Sequence, residues 1–104
     1  MEYTIDHNNN KCTYLNSKVH SYNDLPAIID EVGNQIWCKD GNFHRDNDLP
    51  AKVVCSGRSM EWYQYGEQHR DDGPAVQTIV FNLYYKRGKF HNANGPALEW
   101  LYLD

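Results

Sequence analysis

The chain has 104 residues, a length suited to one domain rather than two. Its formal net charge of −4 excludes the basic footprint that nucleic-acid binding demands. Hydrophobic residues make up only 40%, but aromatics reach 13%, with 8 Tyr and 3 Trp, which argues against a disordered chain and favours sheet over helix.

The opening segment "MEYTIDHNNN" lacks an apolar signal core, and within it "EYTID" predicts a strand. No stretch approaches the roughly 18–20 apolar residues needed to cross a bilayer. The 3 Cys (Cys12, Cys38 and Cys55) are odd in number and widely spaced, giving neither a disulfide framework nor C-x-x-C. A reducing compartment follows, and a soluble cytoplasmic protein is expected.

From residue 11 onward the chain repeats itself. Pro-Ala recurs at Pro26-Ala27, Pro50-Ala51, Pro74-Ala75 and Pro96-Ala97, in steps of 24, 24 and 22 residues. A His precedes each pair: His20, His44, His69 and His91. Three residues before each His stands Ser17, Gly41, Gly66 or Gly88, and three before that Tyr14, Cys38, Tyr63 or Tyr85. Asp40-Gly41, Tyr65-Gly66 and Arg87-Gly88 place Gly where a tight turn needs positive φ. The links "RDND", "RDD" and "NAN" supply turn-forming Asp and Asn. Pro then opens the next strand, where its missing N–H does least harm. The runs "KVVCS", "VQTIVF" and "LEWLYL" that follow are strand-like, and no window shows a helical apolar period. Units of two strands are therefore expected over 1–10 (partial), 11–34, 35–58, 59–81 and 82–104, giving about nine short strands in one domain over 1–104. Short connections predict antiparallel neighbours in a meander.

The unit aromatic-x-x-Gly-x-x-His resembles a MORN (membrane occupation and recognition nexus) repeat. It is carried by Cys38-Gly41-His44, Tyr63-Gly66-His69 and Tyr85-Gly88-His91, and weakly by Tyr14-Ser17-His20. The family's Gly after His is Ser21, Arg45, Arg70 or Asn92 here, and its short Gly-x-Gly link is replaced by a longer one ending in Pro-Ala. The chain is thus similar to a divergent MORN-like protein, of a kind associated with large DNA viruses and phages. The resemblance implies an all-β fold of tandem hairpins, an elongated, twisted, single-layer antiparallel sheet, and a host-cytoplasmic location if the protein is viral.

The recurring side chains admit more than one use. Equivalent His residues stand roughly 10 Å apart across two strands, too far to share a metal held at about 2.0–2.3 Å. Each His is expected to pin its own link through a ring nitrogen bonded to backbone, so no metal, cofactor or catalytic residue is assigned. Arg45 and Arg70, with neighbouring Asp residues, form surface ion pairs or else a row that clamps an anion. Alternation puts Trp37, Trp62 and Tyr84 on one face and Tyr14, Cys38, Tyr63 and Tyr85 on the other. Both columns hold the sheet together, and one of them also offers a contact surface. A thin sheet buries little, which makes a homodimer an expectation.

No nucleophile elbow, P-loop, H-E-x-x-H or dinucleotide fingerprint appears. Repetition suits an extended binding surface, so the leading expectation is a non-enzymatic protein-interaction or scaffold module. The alternative is sequestration of an anionic, nucleotide-like small ligand by aromatic stacking and Arg45 or Arg70. A third is a hydrolase using His44 or His69 as base. The only basic cluster, Lys86, Arg87 and Lys89, ranks membrane lipid below a protein partner.

Overall fold

The structure is a computed structural model and describes residues 2–93 and 95–101. It is an all-β meander of antiparallel hairpins, drawn out to 46 × 25 × 20 Å. A nine-stranded sheet, here called the ladder, runs its length. In spatial and chain order its strands are Thr4–Ile5, Lys11–Cys12, Ile28–Ile29, Gln35–Ile36, Lys52–Val54, Ser59–Glu61, Val76–Thr78, Phe81–Leu83 and Leu98–Trp100. The N-terminal "EYTID" thus supplies the first strand, paired with Lys11–Cys12 through Thr4↔Cys12 and Ile5↔Lys11. The expected strand over "LEWLYL" is seen at Leu98–Trp100, while residues 102–104 and the link residue 94 lie outside the described ones. Among the described residues no helix forms; Cys55–Gly57 is a turn with positive φ at all three positions.

The nine strands read from the spacing are the nine of the ladder, but each of the four full units holds two more. Four further hairpins lie beside it: Tyr14–Leu15 with Lys18–Val19, Cys38–Lys39 with Asn42–Phe43, Tyr63–Gln64 with Glu67–Gln68, and Tyr85–Lys86 with Lys89–Phe90. We call these the clips. The strand carrying the aromatic breaks in two at the residue before it. Trp37 N–H bonds across the ladder to Ala51 O, and Trp37 O accepts from His44 N–H within the clip. Trp62 does the same between Ala75 O and His69 N–H, and Tyr84 between Ala97 O and His91 N–H. One residue therefore belongs to two ladders, and the chain turns there.

Each clip closes with two consecutive residues at positive φ: Asn16-Ser17, Asp40-Gly41, Tyr65-Gly66 and Arg87-Gly88. That is the turn geometry matching the right-handed strand twist. The tip of each clip after the first hydrogen-bonds the clip before it. Gly41 N–H reaches Val19 O, Gly66 N–H reaches Phe43 O, and Gly88 N–H reaches Gln68 O. A Cβ on Gly66 would lie 3.3 Å from Asn42 Oδ1, so glycine permits this shingling as well as the turn.

The core is thin and lies where ladder meets clips. Ala27, Ala51 and Ala75 of the Pro-Ala pairs are fully covered, and Trp37, Cys38, Trp62, Cys12 and Val76 are buried beside them. The row Cys12, Ile28, Ile36, Lys52, Glu61, Val76, Leu83 and Leu98 is in register across the ladder. Lys52 and Glu61 stand as cross-strand partners within it, their charged atoms 3.9 Å apart.

Candidate functional site

The links between units build the most regular feature of the surface. Trp37 lies buried at the junction, and its indole Nε1–H donates to Asp24 O at 2.9 Å. The Arg45 guanidinium sits over this indole, Cζ 3.7 Å from a ring centroid. Its Nε and Nη2 donate to the two carboxylate oxygens of Asp24 at 2.9 and 3.2 Å, and its Nη1 donates to Pro50 O at 3.1 Å. The next unit repeats this. Trp62 Nε1–H donates to Asp48 O, and Arg70 stacks on Trp62 at 3.9 Å. Arg70 Nε and Nη2 donate to Asp48 at 2.9 and 3.3 Å, and Nη1 donates to Pro74 O at 3.2 Å. A planar fork that stacks and binds bidentately is what distinguishes Arg from Lys at such a place.

Where the Trp is missing the Arg is missing too. Thr13 and Ser21 hold the two places in the first unit, and Tyr84 and Asn92 in the last. Asn92 keeps one part of the job, donating from Nδ2 to Pro96 O at 2.9 Å. The first Pro carbonyl, Pro26 O, is capped by the Tyr3 hydroxyl at 2.8 Å.

The His residues bond backbone of a turn in the neighbouring unit, and two of them also hold a side chain of their own link. The backbone N–H groups of Asp40, Tyr65 and Arg87 donate to Nδ1 of His20, His44 and His69, each at 3.1 Å. Nδ1 is thus the acceptor, which leaves the proton on Nε2. In two copies Nε2 meets the link: His44 with Asp46 Oδ1 at 2.8 Å and His69 with Asp71 Oδ1 at 3.0 Å. Each of these two His ties its own link to the tip of the next clip. His44 is buried, and His91 is exposed.

The remaining aromatics divide by depth. Tyr63 is half-buried and donates its hydroxyl to Glu61 Oε1 at 2.8 Å. Burial first, and then the Glu61 carboxylate, push its phenol up to about 12. Burial and Glu99 likewise raise Tyr84. Tyr85 stacks on Phe90 with centroids 4.7 Å apart. Trp37 and Trp62 keep only 5% and 6% of their surface exposed, so what they present outward is the guanidinium above them.

Between consecutive links and clips lies a groove, and it recurs in three units. At Trp37 it holds about 260 Å³, at Trp62 about 540 Å³ and at Tyr84 about 500 Å³. The Trp62 groove places four carboxylates (Asp48, Glu67, Asp71, Asp72) against two guanidinium groups (Arg70, Arg87). Arg70, Asp71 and Asp72 also line the Tyr84 groove and form the wall between the two. Tyr65 lines the Trp62 groove with 65% of its surface exposed, its ring 4.5 Å from His44. Among the described residues no three His, Cys, Asp or Glu side chains gather as metal ligands.

The sequence singled out Trp37, Trp62, Tyr84, Arg45 and Arg70, and these line the grooves. Tyr85 lines the last groove, and Tyr63, itself in a clip, packs edge-on against Phe43 of the preceding clip with ring centroids 5.2 Å apart. Sequence reasoning passed over Asp24, Asp48, Tyr65 and Glu67. A signal for the first two existed, since each stands two residues before a repeat Pro. Comparison with known proteins returns no matching family model, no matching curated protein and no matching solved structure.

Proposed function

We propose that this chain is a non-enzymatic protein-interaction module, a divergent MORN-like repeat whose recurring grooves receive an extended segment of a partner protein. The observation that carries the reading is the recurrence itself. In three successive units a groove is lined by the junction aromatic, the repeat His and residues of the links on either side. Repetition in register serves a partner that is itself extended.

The other uses fit the geometry less well. A general base needs a free ring nitrogen, and both nitrogens of His44 and of His69 are engaged. An anion clamp needs free guanidinium edges, and Arg45 and Arg70 already hold Asp24 and Asp48. The test is affinity capture from a lysate with the wild-type chain and with Tyr65→Ala, both confirmed folded by circular dichroism. Proteins retained by the first and lost from the second support the module. Identical capture by both overturns it. So does a rise in melting temperature with ATP or inorganic phosphate, which would point to ligand sequestration.

A further inference from the structure

We infer that the occupant of the Trp62 and Tyr84 grooves is a cationic peptide segment in a polyproline II-like conformation, with Arg or Lys at every third residue. This rests on the interaction-module reading and names the chemistry of its partner.

Charge is the first argument. Of the four carboxylates in the Trp62 groove, Asp48 is spent on Arg70 and Asp71 faces His69 and, at 3.8 Å, Lys86. Glu67 and Asp72 have no partner among the described residues and are exposed. The two grooves together set Asp48, Glu67, Asp71, Asp72 and Glu99, five carboxylates, against the three cations Arg70, Lys86 and Arg87. The Trp37 groove instead sets Asp24 and Asp46 against Lys39 and Arg45, which is neutral. Unpaired negative charge therefore belongs to two adjacent grooves.

The exposed aromatic is the second argument. Tyr65 and Glu67 both line the Trp62 groove, and the Tyr65 ring already takes one cation, Lys39 Nζ 5.5 Å from its centroid; a guanidinium stacks on such a ring within about 6 Å while a carboxylate holds its edge. The chain uses this pairing on itself, with Arg45 between Trp37 and Asp24.

Spacing is the third. Equivalent grooves are two ladder strands apart, about 10 Å at roughly 4.8 Å per strand. A polyproline II helix rises about 3.1 Å per residue with three residues per turn. Every third side chain then points the same way, about 9.3 Å from the last. A β-strand cannot match this, because its side chains alternate and residues three apart face opposite ways. A segment with cations at two positions three apart would set one in each groove, with Asp72 in the shared wall between them.

Fluorescence anisotropy with labelled nonapeptides tests this. One peptide carries arginine at every third position with proline between; a second carries the same number of arginines at alternate positions without proline; a third carries glutamate at every third position. The first is expected to bind at least about tenfold more tightly than the second, to weaken steeply with salt, and to lose about tenfold on Asp72→Lys or Glu67→Lys. The glutamate peptide should not bind. Equal binding of the two arginine peptides, or affinity unchanged by both substitutions in variants that melt as the wild type does, overturns the inference. Tyr65-dependent capture from lysate, if retained while the arginine peptides fail to bind, rejects the cationic segment and leaves the module intact.

Discussion

At the residue scale, the repeat Ala and the buried thiols are the side chains with least room for change. Ala51 is fully covered because its backbone is bonded on both sides. Its N–H donates to Glu61 O at 2.9 Å and its carbonyl accepts from Trp37 N–H at 2.7 Å. A larger side chain there must displace the Trp37 junction. Ala51→Leu is expected to cost about 1–3 kcal/mol, since overpacking of fixed backbone falls in that range. In a domain of this size that lowers Tm by roughly 4–8 °C per kcal/mol. A thermal melt that superimposes on the wild type would show the Ala to be incidental. Cys38 is the second case. Burial, and then the proximity of Cys12, push its thiol up to about 11, and burial also raises Cys12. At pH 8 roughly one Cys38 in a thousand is then thiolate, the reactive form. Cys55 is exposed. A disulfide reagent at pH 8 should therefore titrate one thiol promptly and the other two only after unfolding; three fast thiols would contradict this burial.

At the element scale, the ladder turns carry a second repeat, nested in the first. Asp6 Oδ1 accepts from the N–H groups of Asn8 and Asn10, both at 2.9 Å. One unit later, Asp30 Oδ1 accepts from Val32 N–H at 3.1 Å and Asn34 N–H at 2.9 Å. Each outer oxygen takes the side-chain amide of the following Asn, Asn10 or Asn34. For Asp6 the Asn10 backbone bond leads in holding the carboxyl below its usual 3.8. For Asp30 desolvation pulls upward, but the bonds from Asn34, Val32 and Gly33 outweigh it and the net shift is again downward. A carboxyl whose pKa is depressed by folding stabilises the fold fully above its ordinary 3.8. That contribution is lost as pH falls below 3.8 and through the depressed value. Asp6→Asn with Asp30→Asn keeps an acceptor and removes the charge. The wild type should melt higher than this double variant at pH 5, and the two curves should converge toward pH 2. Parallel curves across that range would sink the assignment.

These elements also show how far the sequence reaches. The Pro-Ala pairs, the turn glycines and the His series state the period of the fold, because each is dictated by local backbone needs within a few residues. The division of every aromatic-bearing strand at Trp37, Trp62 and Tyr84 was not legible. It depends on a bond from the Trp37 N–H to Ala51 O, fourteen residues away, which no local propensity encodes. The target of the His ring was missed for the same reason: His44 acts on Tyr65, in the next unit. Groove residues were legible where they were large and repeated, as with Trp62 and Arg70. Asp48 and Tyr65 gain their meaning only from what the neighbouring unit brings against them.

At the scale of the whole molecule, contacts pass almost entirely between adjacent units, so length should be adjustable in whole-unit steps. Nine strands at about 4.8 Å span about 38 Å between the outer two, in keeping with a long axis of 46 Å. Trp37 and Trp62, and His44 and His69, are each separated by 25 residues. Deleting residues 35–59 therefore joins Asn34 to Met60 in the frame that Gln35 occupies now. Met60–Glu61 would then pair with Ile28–Ile29, and Trp62 would take the place of Trp37 over the same link. Arg70 would find Asp24 where it now finds Asp48, with the same bidentate geometry available. The cost is confined to the new seam, where Glu61 meets Ile28 instead of Lys52 and their 3.9 Å ion pair is lost. The shortened chain is expected to fold cooperatively, to melt lower than the parent because it has one interface fewer, and to lose about 10 Å of its maximum dimension in small-angle scattering. A variant of unchanged length, or one that fails to fold while single substitutions at Glu61 are tolerated, would mean that the units depend on one another beyond their nearest neighbours.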